Sequence, residues 1–262
     1  MSSSSVTNTL TFRAGPAASA AEIIDMIGAD GYAYVDGIPN DFDHLSLLSL
    51  IGIPVPQYQG ELVRDIKPDP QMQEFEVSAL NMKPLVPHTE LFEFAGLPPR
   101  YIALWAVVPA HGPGGETTLT DGYELLRTFT PEERAALEAR EFEWRSPASL
   151  TAEGVQRAAY HPIAERTPWG TVLRYSGREM RCRGLGGEYV DDPLLTEYRD
   201  RGLRFFEQAC HAVKIARGAL LVWDNWRMYH SRSGFCDPRR HLRRVMLDQF
   251  GAGDANELSR AG

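Results

Sequence analysis

Several features that would direct the reading elsewhere are scarce or missing in this sequence. Of its 262 residues only three are cysteines, Cys182, Cys210 and Cys236. They are odd in number and lack CxxC spacing, which argues against a disulfide framework and against a structural zinc site. Free thiols in a reducing cytoplasm are the simpler reading. No stretch approaches the roughly 18 apolar residues of a membrane span. The first residues, MSSSSVTNTLTFRAGPAASAA, have neither the basic segment nor the apolar run of a secretion signal. Residues 1–18 are expected to be a flexible polar lead-in to a cytoplasmic protein. Net basic charge is lacking too: the formal charge is −8, which argues against nucleic acid as the main partner.

What remains is an ordinary globular composition. Hydrophobic residues make up 43% and charged residues 24%, enough for a substantial core in a soluble chain of this length. A single domain over residues 1–262 is expected. Helical spacing covers Ala21–Ile27 and ends at Gly28 and Gly31, and Asp41 is positioned to cap a second helix that carries Leu45, Leu47, Leu48 and Leu50. Tyr101–Val108 is the cleanest buried strand. Thr130 and Glu133 form a capping-box pattern ahead of a helix over Pro131–Arg140, and Asp192–Ala212 is the longest helical pattern. Strands are expected at Gly31–Val35, Glu141–Ser146, Ala219–Trp223 and Val245–Phe250, with a further pair around Thr167-Pro168-Trp169-Gly170. Many short strands without βαβ alternation predict a mainly β fold with added helices.

Two stretches carry the chemistry. In Pro87-His88-Thr89-Glu90 the proline favours an extended approach, and side chains two apart in a strand share a face. His230 follows the apolar strand Ala219–Trp223, just beyond its end. Two imidazoles and one carboxylate leave three positions open on an octahedral ion, the arrangement of non-haem Fe(II) oxygenases. Zinc also accepts two histidines and a glutamate, so a zinc hydrolase fits these three residues as well. Arg240 and Arg244 lie four apart, about 13 Å along a strand. They could grip an anion, although from this segment alone two solvated arginines on an exposed strand are the better reading. Gly114-Gly115-Glu116-Thr117 is a tight turn that offers a hydroxyl, and without a following Lys-Ser/Thr it is not a phosphate loop.

In order, HTE (88–90), GGET (114–117), His-Pro (161–162), WDNWRMYHSRSGF (223–235) and RRHLRR (239–244) resemble the Fe(II)/2-oxoglutarate-dependent dioxygenases of the taurine dioxygenase/clavaminate synthase superfamily. The resemblance covers roughly residues 80–250. It implies a distorted double-stranded β-helix (a cupin-like jelly roll) with its core in that range. His88, Glu90 and His230 match the metal triad. Thr117 and Arg240 match the pair that holds the distal carboxylate of 2-oxoglutarate. Arg244 matches an arginine near the cosubstrate's other end or the substrate's anion.

Most taurine-dioxygenase-like members carry Asp at the position of Glu90, whereas the clavaminate synthase branch and several amino-acid hydroxylases carry Glu. The superfamily's halogenases have a small residue there, so Glu90 argues against halogenation. The activity implied is an oxygenase using Fe(II), 2-oxoglutarate and O2 on a small substrate, such as an amino acid or a carrier-bound intermediate of natural-product biosynthesis. Hydroxylation is the default outcome, with desaturation or cyclisation as variants on the same oxidant. The other readings are a non-catalytic jelly roll that binds a small acid, and the zinc hydrolase. The complete triad with Thr117 and both arginines argues against lost activity, since a degenerate site breaks at one of these, and the zinc hydrolase leaves Thr117, Arg240 and Arg244 without a role. The pocket lid is expected from Tyr58–Leu85 and Ser146–Arg157. Asp224 and Asn225 are expected to brace the turn before His230. Trp105, Trp223 and Trp226 read first as core aromatics, with Trp226 or Tyr229 as candidates to border the pocket.

Overall fold

The computed structural model describes residues 9–13, 15–178, 180, 182–183 and 189–250. Two sheets face one another in it. The larger has seven strands, running in space as Thr9–Thr11, Tyr32–Asp36, Leu220–Asp224, Tyr101–Val108, His241–Asp248 and Ile53–Val55, with Arg64–Ile66 also pairing on His241–Asp248. All its pairings are antiparallel except that of Thr9–Thr11 with Tyr32–Asp36. The smaller has four antiparallel strands, in the order His211–Val213, Thr117–Asp121, Met228–Arg232 and Leu85–His88. This is the mainly β, jelly-roll architecture expected. The larger sheet nevertheless draws four of its strands from before residue 80, so the core is wider than residues 80–250. Residues 9–11 of the expected lead-in form its edge strand.

Strict alternation decides which side chains enter the barrel. Ile102, Leu104 and Ala106 pack inward with Leu221, Trp223, Leu242 and Met246, against Leu119, Val213 and Met228 of the smaller sheet. Their neighbours Ala103, Trp105, Leu220, Val222, Val245 and Leu247 face outward onto the helix Pro16–Asp30 and onto Leu47 and Leu48. Each such Leu or Ile contributes about 2 kcal/mol through burial. Arg244 falls between Leu242 and Met246 in the inward series. The same parity carries His230 and Arg232 inward beside Met228. A third cluster covers the other face of the smaller sheet, where Tyr229 packs with Phe142, Trp144, Tyr175 and Tyr198.

Most element boundaries fall close to expectation, and the misses have local causes. The first helix runs Pro16–Asp30, through Gly28, because an isolated glycine costs only about 1 kcal/mol there. It stops at Gly31, whose φ is +83° and whose missing Cβ leaves room for Met228 Sδ. The second helix, His44–Leu48, is capped by Asp43 and not Asp41. The last strand begins at His241, four residues earlier than expected. The capping box at Thr130 and Glu133 is present. Asp192 caps the helix Pro193–Ala209, after which His211–Val213 is strand. Cys210 and Cys236 are free thiols; the side chain of Cys182 lies outside the described residues. No helix among the described residues is long and apolar enough to cross a membrane.

The segment opposite His88 is held by a half-buried ion pair. Arg174 is wholly buried and donates to Glu165 at 2.6 Å. Tyr175, next in the chain, exchanges backbone and hydroxyl hydrogen bonds with Thr89. The His161 contact, then the Arg174 charge, draw the Glu165 carboxyl from 4.5 down to about 2 against the effect of burial. A depressed carboxylate stabilises the fold above its unfolded pKa, and the contribution is lost as pH falls through the folded one. Glu165→Gln is therefore expected to cost about 2–3 kcal/mol at pH 7 in urea unfolding. The gap to wild type should close between about pH 4.5 and about pH 2. A gap that stays constant across that window would show that the cost does not come from the Glu165 charge.

Candidate metal centre

His88 and His230 are cross-strand partners in the smaller sheet, and their rings lie 4.2 Å apart between centroids. Glu90 arrives from beyond the strand end. The chain turns there through Leu91, the one described non-glycine residue with positive φ, at +57°. A leucine in that region stores about 1–3 kcal/mol of strain. The wholly buried Asn225 holds Glu90 in place by accepting from its N–H at 2.7 Å and donating to its C=O at 3.1 Å. Glu90 Oε2 then sits 3.8 Å from His88 Nε2 and 3.5 Å from His230 Nε2. Ligand atoms of the three residues all lie within 4.8 Å of one another, and this is the one such group among the described residues.

The other oxygen is committed elsewhere. Glu90 Oε1 accepts from Tyr58 Oη at 2.6 Å and from Arg244 Nη1 at 2.8 Å. Arg244 Nε in turn donates to Gln57 at 2.9 Å. Burial alone would push the Glu90 carboxyl up, but Arg244, His230 and His88 together hold it well below the usual range. One carboxylate oxygen is thus left to face the two imidazoles. His88 Nδ1 lies 2.9 Å from the carbonyl of Val86, and a proton on Nδ1 leaves the Nε2 lone pair free. Burial and the neighbouring His230 lower its pKa to about 4. Two imidazoles and a monodentate carboxylate fit a divalent ion.

Two cavities of about 70 and 60 Å³ meet at this group, and both are lined by His88, Glu90 and Arg244. The smaller also holds Thr117, Trp223, His230, Arg232 and Arg240. Arg240 is buried, with Nε and Nη1 unpartnered, and Nη2 reaches only the Gly115 carbonyl at 3.4 Å. Burial lowers the pKa of Arg240 to about 10. Burial, followed by the charge of Arg240, lowers that of Arg232 to about 9. Arg232 is held by the carbonyls of Ala79 and Lys83 and by Asn81 Oδ1, whereas Arg240, attracted by Glu116 but with two unpartnered nitrogens, presents a fork that calls for an anion. Gly114 and Gly115 have φ of +84° and +80°. A Cβ on Gly115 would meet Ala110 Cβ at 2.7 Å, so the tight turn that sets the Gly115 carbonyl beside Arg240 needs glycine.

The six singled-out residues therefore come together: His88, Glu90 and His230 at the junction, Thr117 and Arg240 in one cavity, and Arg244 between the two. Arg240 and Arg244 are buried, contrary to the solvated pair favoured by the segment alone. Asp224 braces the turn before His230 as expected, accepting from the Trp226 N–H through Oδ1 at 2.9 Å and from the Arg227 N–H through its carbonyl at 3.2 Å, while Oδ2 pairs with Arg100 at 3.3 Å. Asn225 ties that turn to the Glu90 backbone, a partner its expected role did not include. Trp226 and Tyr229 lie in the packed interior, away from both cavities. The expected lid segments do line the larger cavity, through Tyr58, Val77, Ser78, Pro147, Ser149 and Leu150. Residue-by-residue reading missed Arg232, although it stands two places after His230 and so shares its face. Gln57 and Glu93 gave no signal in the sequence. A far larger open depression, about 1240 Å³, holds none of the triad.

The model of the family described as "Taurine catabolism dioxygenase TauD, TfdA family" matches residues 6–246. Among solved structures, an asparagine oxygenase in complex with Fe(II), 2S,3S-3-hydroxyasparagine and succinate superposes with a TM-score of 0.69. It is 20% identical, over 88% of this chain and 78% of that one. The non-haem iron oxygenase OrfP in complex with Fe and alpha-ketoglutaric acid gives 0.65 at 17% identity, over 92% and 94% of the two chains. An OrfP variant in complex with (3S)-hydroxy-L-Arg gives the same score and identity, over 96% of each chain. No curated protein sequence matches.

The bonds to Glu90 and its backbone generate a direct test. Tyr58→Phe should weaken Fe(II) binding about tenfold and Asn225→Ala up to about 100-fold, measured anaerobically by competition with a chromogenic chelator. Unchanged affinity in both variants would mean that these contacts do not orient the carboxylate.

Proposed function

The chain belongs to the TauD/TfdA family of Fe(II)- and 2-oxoglutarate-dependent dioxygenases, and from that premise we propose that it hydroxylates an unactivated C–H of a small, amino-acid-like substrate. The observation that carries the reading is the divided site. A His-Glu-His group stands between a cavity with the unsatisfied Arg240 fork and a second cavity under the lid segments. A zinc hydrolase would leave the buried Arg240 fork without an anion to hold.

His88 Nε2, Glu90 Oε2 and His230 would hold Fe(II). Thr117 and Arg240 would take the distal carboxylate of 2-oxoglutarate, and Arg244 would keep Glu90 monodentate while facing the substrate side. With iron and cosubstrate bound, O2 is reduced by four electrons, two from oxidative decarboxylation of 2-oxoglutarate and two from the substrate C–H. One oxygen atom ends in succinate and the other in the substrate hydroxyl, and carbon dioxide is released. The chain's own residues bind, orient and exclude water. Tyr58 and Arg244 hold one Glu90 oxygen, so rotation of the carboxylate does not consume a position needed by the other reactants. Buried Trp223, 5.0 Å from the His230 ring, Leu242 and Ile102 dry the cosubstrate cavity and thereby strengthen the Arg240 charge. Free or carrier-bound amino acids and natural-product intermediates are the substrate classes this reading supports.

Anaerobic addition of Fe(II) and then 2-oxoglutarate should produce a weak visible charge-transfer band. His88→Ala should abolish it. Arg240→Ala should raise the 2-oxoglutarate concentration needed about 100-fold, the scale for losing a buried charged hydrogen-bond pair. Absence of the band in wild type, alongside tight binding of zinc, would overturn the oxygenase reading.

A further inference from the structure

The larger cavity contains a charged residue that the reaction does not use. Glu93 lies in the turn that follows Glu90, closed by a bond from the Phe94 N–H to the Leu91 carbonyl at 3.0 Å. Its relative exposure is 2%, and Oε1 has no hydrogen-bond partner. It lines the same cavity as His88, Glu90 and Arg244. The other charged side chains around that cavity are matched: Arg244 with Glu90 at 2.8 Å, and Arg64 with Glu153 from the lid segment. Among the described lining residues Glu93 alone lacks a hydrogen-bonded counter-charge. Arg157 attracts it from outside the lining, with its guanidinium over the Phe94 ring, and Ser146 also stabilises the charged form.

A carboxylate in such a place is costly unless a proton or a cation neutralises it. Burial first, and then the nearby Glu90 charge, raise its pKa to about 7 against the pull of Arg157 and Ser146. The turn that aims it is pinned by Asn225 and strained at Leu91, so the chain holds Glu93 where local preference would not. Simple packing would be served better by an apolar side chain like its neighbours Phe92 and Phe94, both of them buried.

We propose that Glu93 is the anchor for a cationic nitrogen of the substrate, and that the cavity selects a molecule of net charge +1, such as an amino acid with an ammonium or guanidinium side chain. The charge count supports the net value. A free amino acid with a neutral side chain is a zwitterion of net zero and leaves Glu93 uncompensated, whereas a basic one balances it. This rests on the oxygenase reading for the identity of the cavity as the substrate side. It adds a residue and a charge class to that reading. Glu93 acts by binding and by orientation, with its carboxylate touching the substrate's nitrogen.

The test is anaerobic isothermal titration of the Fe(II)- and 2-oxoglutarate-loaded protein with two matched pairs of probes, L-lysine beside L-norleucine and L-arginine beside L-citrulline. In wild type, at least one basic member should bind about 30-fold tighter than its uncharged counterpart, the scale of a charged hydrogen bond. Glu93→Gln, which keeps the shape and a hydrogen bond but loses the charge, should abolish that preference while retaining the charge-transfer band. Glu93→Asp should restore part of it. Equal affinity within both pairs, no binding by any of the four, or a preference that survives in Glu93→Gln would overturn the proposal. If the band never forms, the oxygenase reading fails by itself, and the same titration on the protein as purified still decides for or against a cation at Glu93.

Discussion

The two oxygens of Glu90 do different work, and much of the site's order follows from keeping them apart. Oε1 accepts from Tyr58 and Arg244, while Oε2 is turned toward the two histidines. Without Arg244 the buried carboxylate would take up a proton or rotate, and the group of three would lose its negative member. Without Asn225 the strained turn at Leu91 would have less to hold it, and both Glu90 and Glu93 depend on that turn for their positions. Arg244 is itself braced by Gln57. A hydrogen-bonded chain thus runs from the lid-side segment at Gln57 and Tyr58 to the carboxylate that faces the metal position.

The barrel makes this possible by placing polar residues on inward positions of strands that are otherwise apolar. Leu242, Arg244 and Met246 share one face of one strand, and Met228, His230 and Arg232 share a face of another. The surrounding hydrophobic side chains supply stability, and they also supply the low dielectric in which the open Arg240 fork becomes a strong anion site. Charge is sorted in space as a result. Arg240 presents two unpartnered nitrogens on one side of the triad, and Glu93 lacks a hydrogen-bonded counter-charge on the other. A dianionic cosubstrate and a cationic substrate would each meet the charge that suits it, with the metal residues between them.

The sequence carried the triad, the threonine and both arginines, because each sits in a short motif whose order could be matched. It also carried the strands and capped helices whose patterns are local, such as Tyr101–Val108 and the Thr130 box. It was less informative where a residue's meaning depends on a partner far along the chain. Whether Arg240 and Arg244 are solvated or buried is decided by a strand that starts at His241 and by the sheet that covers it. Gln57, Tyr58 and Asn225 reach Glu90 over 32 to 135 residues of chain, directly or through Arg244, and no local pattern encodes such a meeting. Arg232 was within reach of period-two reasoning from His230. Glu93 was not, since a glutamate in a turn is ordinarily exposed.

The central claim is that one Glu90 oxygen, together with His88 and His230, holds iron between an anion-binding and a cation-binding side. An anaerobic crystal structure with Fe(II) and 2-oxoglutarate tests it most directly. The account predicts the ion on His88 Nε2, Glu90 Oε2 and His230. It also predicts Oε1 still bonded to Tyr58 and Arg244, and the distal carboxylate of 2-oxoglutarate on Arg240 and Thr117. A metal bound by both oxygens of Glu90, with Arg244 displaced, or a cosubstrate lying in the Glu93 cavity, would contradict it.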